Sequence, residues 1–175
     1  MIPKNAIKLK NYYSVFFNTI NPYLHFEQYY CEESNSFWLK IFPEKEVMGP
    51  PGHVHGGCLS SLLDEAMGSL VWISGLTVVT AHLETSYRKP VPLNSTLYVL
   101  AEIENRIKRK VITTGSILNE NGDALTTARG IFIIYDHSKF KNEIIVPNEF
   151  RKLYEFNKMR KEGKSFDEIS ATLSF

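Results

Sequence analysis

One segment restricts the folds open to this chain more than any other. From Gly57 to Ser74, Leu59, Leu62, Leu63, Ala66, Leu70 and Ile73 recur with a near-3.6 period. The positions between them hold Ser60, Ser61, Gly68 and Ser69 instead of rows of Lys or Glu, leaving Asp64-Glu65 as the one acidic pair. A helix apolar around so much of its circumference has to be covered on most sides. The flanking sequence supplies the cover as strands. Phe37, Leu39 and Ile41 alternate with Trp38, Lys40 and Phe42, so Tyr23 to Phe42 reads as two strands joined near Glu33 to Asn35.

Four further strands are predicted after the helix, over Val78 to Tyr87, Thr96 to Ile103, Val111 to Leu118 and Ala124 to Tyr135. Pro90 to Asn94, Arg106 to Lys108 and the hairpin signal Asn121-Gly122 separate them, and an antiparallel meander is expected. In the first of the four, alternation places Val79, Ala81, Leu83 and Tyr87 on one face and Thr80, His82, Glu84 and Ser86 on the other. The fold class is therefore α+β: a long central helix wrapped by a curved antiparallel sheet of about six strands.

The ends read as helical additions. Tyr12, Tyr13, Phe16, Phe17 and Ile20 have helical spacing within Asn5 to Ile20, ahead of the Asn21-Pro22 break. Past Asp136 the composition turns charged, with a helix expected over Asn148 to Glu162, a stop at Gly163, and a capping box in Ser165-Phe166-Asp167-Glu168. The expected division is an N-terminal helical extension (1–22), a main domain (23–136) and a C-terminal helical appendage (137–175).

Charge and composition remove several function classes. Over 175 residues, 20 Lys and Arg offset 19 Asp and Glu, so the net charge of +1 gives no general basic field for nucleic acid. No nucleic-acid partner is expected. The apolar run from Leu59 to Leu76 is interrupted by serines, glycine and the acidic pair, so no membrane span is expected. The N-terminus lacks an apolar stretch ending in small residues, and Cys31 and Cys58 have no Cys-x-x-Cys spacing. A cytoplasmic protein with reduced cysteines is the expectation.

Chemistry concentrates in Gly49-Pro50-Pro51-Gly52-His53-Val54-His55-Gly56-Gly57, directly before the central helix, with Asp64 about two turns inside it. Paired glycines at a loop-to-helix junction let another group approach backbone N–H donors, which the first helical turn leaves unpaired. That is a natural site for an anion or an oxyanion. A carboxylate on the inner helix of a compact domain must face a partner, a cavity or an interface, and desolvation would raise its pKa and make it a better base. Two other constellations are weaker. His53-x-His55 with Cys58 and Asp64 lacks the second paired cluster of a structural zinc site, so no metal is expected. Cys58 as a nucleophile with His55 competes with its simpler role as a small residue on a buried helix.

Residues Gly49 to Tyr135 resemble the hotdog-fold acyl-CoA thioesterases, in the PaaI-like branch of thioesterase superfamily members. The resemblance rests on the Gly-Pro-Pro-Gly-x-Val-His-Gly-Gly loop, the Asp seven residues past its last glycine, Thr80-Ala81-x-Leu83, Tyr87-Arg88-Lys89-Pro90-Val91-Pro92-Leu93, and Arg109-Lys110. It implies hydrolysis of an acyl-CoA to free acid and coenzyme A, as in fatty acid metabolism, with no cofactor beyond the coenzyme A of the substrate. It implies Asp64 as base or nucleophile, His55, Gly56 and Gly57 around the thioester with the Gly57 N–H polarising its oxygen, and Thr80 orienting water or Asp64. It implies Ser86, Arg88, Lys89, Arg109 and Lys110 as substrate-binding residues, the four basic ones facing coenzyme A phosphates. It further implies a homodimer or dimer of dimers with each site between two subunits. Two rival readings keep the fold: a non-catalytic acyl-CoA binding module, and a dehydratase acting on carrier-protein thioesters.

Overall fold

The computed structural model describes residues 1–9, 24–134, 155, 156 and 158–173. Strands β1 (Ile7–Leu9), β2 (Leu24–Cys31) and β3 (Ser36–Pro43) precede helix α1 (Gly56–Ile73); β4 (Val78–Tyr87), β5 (Leu97–Ile107), β6 (Lys110–Leu118) and β7 (Ala124–Ile134) follow it, and α2 (Phe166–Leu173) comes last. The seven strands form one antiparallel sheet in the order β1-β2-β3-β5-β6-β7-β4. Its inner face packs Phe37, Leu39, Val99, Ala101, Val111, Ile117, Ala128 and Phe132 against α1, whose Leu59, Leu62, Leu63, Ala66, Met67, Leu70 and Val71 are all buried. This is the helix-in-sheet arrangement the apolar helix demanded.

The helix can lie close to the sheet because the sheet is shallow beneath it. A Cβ added at Gly115 of β6 would come within 2.9 Å of the Leu63 side chain and 3.3 Å of Met67. At its C-terminus α1 closes with Gly75 in the left-handed region (φ 86°). Gly75 N–H donates to Trp72 and Leu76 N–H to Val71, so the carbonyls of Val71 and Trp72 are paired.

Two strand expectations are corrected. β5, β6 and β7 form a meander, but β4 pairs with β7 at the far edge and not with β5. α1 carries the chain across the sheet to that edge, and the segment after Tyr87 brings it back to place β5 beside β3. The faces of β4 also change part-way along. Its register slips between Thr80 and His82, so Ala81 is an extra residue and the alternation reverses there. Thr80 before the bulge and Thr85 and Tyr87 after it reach α1, while Val79 stands 50% exposed.

At the N-terminus, Ile7–Leu9 at the start of the predicted helix form a strand against β2. Residues 10–20 of that expectation lie outside the described residues. Of the helix expected over 148–162, residues 155, 156 and 158–161 are helical, and 148–154 and 157 lie outside the described residues. The capping box is formed: Ser165 N–H donates to Glu168 Oε2 at 2.8 Å, and Glu168 N–H donates to Ser165 Oγ at 3.3 Å. α2 is packed into the main body, with Phe166 and Ile169 buried and the Phe166 ring centred 5.6 Å from that of Tyr30. Arg160 adds an ion pair to Glu32 at 2.7 Å.

Candidate active site

The loop before α1 is fixed by backbone bonds to two neighbours. His55 N–H donates to the Val47 carbonyl at 2.8 Å, Val54 N–H to Val91 at 2.9 Å, and Leu93 N–H to Gly52 at 3.0 Å. Gly49 must lack a side chain, since its Cβ would stand 2.7 Å from His55 Cα. His53 turns its Nδ1 to the Pro51 carbonyl of the same loop, 2.9 Å away, which gives it a local structural place.

His55 is the N-cap of α1, and its Nδ1 accepts the Gly57 N–H at 2.9 Å. The expected oxyanion donor is thus held by the cap. An Nδ1 that accepts carries no hydrogen, so in the neutral ring the proton sits on Nε2. Leu59 N–H donates to the His55 carbonyl at 3.1 Å. Among the described residues, the Gly56 and Cys58 N–H groups have no hydrogen-bond partner and keep the anion-attracting character of a helix start.

Asp64 lies on the half-buried side of α1, and its Oδ1 accepts the Thr80 hydroxyl at 2.9 Å. Burial pushes its carboxyl above the ordinary aspartate range, and the Thr80 bond pulls it part of the way back. The two effects leave an acid that titrates closer to neutrality than a solvated one. Burial also raises the Cys58 thiol, which counts against a thiolate nucleophile there. No group of three or more His, Cys, Asp or Glu suited to a metal ion occurs among the described residues.

Near the helix start the edge strand adds residues that the sequence reading gave no role. Tyr87 donates its hydroxyl to the Gly56 carbonyl at 3.0 Å and lies 2.5 Å from Ser60 Oγ, with Thr85 Oγ1 3.4 Å from the same serine. The signal for Tyr87 was its place in the Tyr87-Arg88-Lys89 motif, but nothing local revealed that it reaches the helix.

The predicted phosphate-binding residues divide into two groups. Arg88 and Lys89 follow β4 beside Leu125, and the Arg88 Nε donates to Thr127 Oγ1 at 3.1 Å. Arg109 and Lys110 stand at the other end of the sheet, where Lys110 pairs with Ile133 and the Arg109 guanidinium is tied to the Ile134 carbonyl at 2.8 and 3.0 Å. At ~3.3 Å per residue along β7, the two groups are roughly 26 Å apart. Ser86 lies between Thr85 and Tyr87 on the strand and therefore points away from α1.

A helix enclosed by a curved antiparallel sheet, with a glycine loop at its N-terminus and an acid two turns inside, defines a hotdog domain. Residues 51–126 match the sequence profile of the Thioesterase superfamily. Acyl-coenzyme A thioesterase THEM4 of Xenopus laevis is 34% identical over 93 residues, which are 52% of this chain and 41% of that relative. The chain therefore spans less than half the length of that protein. Among solved structures, the thioesterase superfamily protein RHA08564 shares 30% identity with a TM-score of 0.59 over 62% of this chain and 53% of its own. The BH2602 protein from Bacillus halodurans, solved with CoA, shares 28% identity with a TM-score of 0.52 over 56% and 66%.

Proposed function

We propose that this protein hydrolyses acyl-CoA thioesters, and the Asp64–Thr80 pair on the half-buried side of α1 is the observation that carries the reading. A water positioned by Thr80 and Asp64 adds to the thioester carbonyl as Asp64 accepts its proton. The tetrahedral oxyanion then collapses, the carbon–sulfur bond breaks, and the coenzyme leaves as its thiol with a proton returned to sulfur. Direct attack by the Asp64 carboxylate, giving an anhydride that water then opens, uses the same group. A positioned base contributes about 10²–10⁴-fold and an oxyanion donor about 10²–10³-fold, enough for an ester whose leaving group is already good. The route is carried by protein groups alone.

The donor end and the base belong to different subunits on this reading. The free N–H groups of Gly56 and Cys58 precede Asp64 by eight and six residues on one helix, about 9–12 Å along its axis at ~1.5 Å per residue. The oxygen and carbon of one carbonyl cannot meet both from a single chain. A homodimer that brings the His55-Gly56-Gly57 turn of one copy to the Asp64 of the other solves this. The substrate class fits a cytoplasmic protein of acyl-chain metabolism. Incubating the unmodified protein with acyl-CoAs of graded chain length and following free thiol tests the activity. Thiol release on at least one chain length is expected, and saturable binding with no release on any would leave a binding module.

A further inference from the structure

We propose that Tyr87, with Ser60 behind it, is a positioning residue that acts on the oxyanion-binding turn through the Gly56–Gly57 peptide. The inference rests on the thioesterase reading for its catalytic meaning but not for its geometry. The Tyr87 phenol has one proton, and the Gly56 carbonyl, which has none to give, accepts it at 3.0 Å. The Ser60 hydroxyl, 2.5 Å away, then gives its one proton to the Tyr87 oxygen in preference to Thr85 Oγ1, which lies farther off at 3.4 Å.

Gly56 C=O and Gly57 N–H are the two ends of one planar amide. A hydrogen bond to the carbonyl fixes that plane and makes the N–H at its other end a stronger donor. The Gly57 N–H in turn meets His55 Nδ1 at 2.9 Å, which sets the ring's Nε2 as the proton carrier. Ser60, Tyr87, the Gly56–Gly57 amide and His55 thus form one directed chain of hydrogen bonds running from α1 through the edge strand to the mouth of the loop. The ring of Tyr87 also covers Gly56, where an added Cβ would stand 3.4 Å from Tyr87 Cζ. Its phenol is therefore placed by packing as well as by bonding, although the residue is 54% exposed.

Tyr87→Phe keeps the ring and removes only the hydroxyl. Two readouts are taken on the full chain: acyl-CoA hydrolysis, and the Gly57 amide and His55 ring nitrogens by ¹⁵N NMR without substrate. The expected result is a fall in kcat of about five- to tenfold with KM held within about twofold, the scale of one neutral hydrogen bond. The Gly57 amide proton should move upfield while that of the remote Gly122 stays in place. Ser60→Ala should shift both readouts the same way and less, and the double variant should do no more than Tyr87→Phe alone. A Gly57 resonance unmoved in both single variants, or a kcat at the parent level with the resonance moved, overturns the proposal. A parent protein with no hydrolysis would instead end the thioesterase reading; a moved Gly57 resonance would then still establish the relay, and an unmoved one would remove it.

Discussion

Thr80 donates its hydroxyl hydrogen to Asp64 Oδ1 at 2.9 Å across the gap between the edge strand and the central helix, and that bond opposes the burial that raises the Asp64 carboxyl. The extra residue at Ala81 reverses the alternation of β4, so that Thr80 before it and Tyr87 after it both face α1. One bulge therefore lets a single strand hold both the base, through Thr80, and the first turn of α1, through Tyr87.

Removing the Thr80 bond should move the acid limb of the pH–rate profile upward. The bond favours the ionised form of Asp64, so Thr80→Val leaves burial unopposed and the carboxylate is reached only at higher pH. In kcat/KM against pH, the limb for Thr80→Val should lie above that of the parent, and Thr80→Ser should restore it. An acid limb at the same pH in all three would show that Thr80 does not tune the base.

Stability should respond to Asp64 with the opposite sense to activity. Its pKa is raised in the folded protein, so the fold holds the proton more tightly than the unfolded chain does, and the parent loses stability as pH rises from the ordinary aspartate value through the raised one. Asp64→Asn removes that loss. Thermal unfolding should give a higher Tm for the variant at pH 7, with the gap closing below about pH 4. A lower Tm at pH 7 would contradict the burial argument.

The loop glycine at position 49 is required by contact. Gly49→Ala sets a Cβ against the backbone of His55, and overpacking of this kind costs about 1–3 kcal/mol. Denaturant titration should find the variant destabilised on that scale, with hydrolysis falling further than stability because His55 and the first turn of α1 are displaced. Parent-level activity with unchanged stability would show that the loop yields freely.

A site shared between subunits makes a complementation test possible. His55→Ala and Asp64→Asn should each be poorly active alone, and mixing after dissociation should return about a quarter of parent activity, from hybrid dimers with one complete site. No recovery, or a strict monomer by light scattering, would contradict the shared site.

Much of the core was legible in the sequence, and the reasons are local. The period of Leu59, Leu62, Leu63, Ala66, Leu70 and Ile73 set the helix to within a residue of Gly56–Ile73, and alternation with turn residues set the limits of β4 and the hairpin at Gly122 (φ 86°). The loop, the acid and Thr80 were found because their spacing is local or belongs to a family motif. What stayed hidden depends on partners distant in sequence. Nothing in Val78 to Tyr87 says that β7 will be its neighbour, and a bulge at Ala81 leaves no trace in an alternation of small and β-branched residues. Phe166 and Ile169 show an apolar face but not that Tyr30 receives it. The basic residues looked like one phosphate site because sequence carries no distance between opposite ends of a sheet.

The most direct test of the account is single-turnover hydrolysis of one acyl-CoA by the parent and by Asp64→Asn, with binding of the same ligand measured separately by calorimetry. The variant should bind with an affinity near that of the parent and cleave about 10²–10⁴-fold more slowly. A variant that cleaves at the parent rate would show that the acid on α1 is not the group that breaks the thioester.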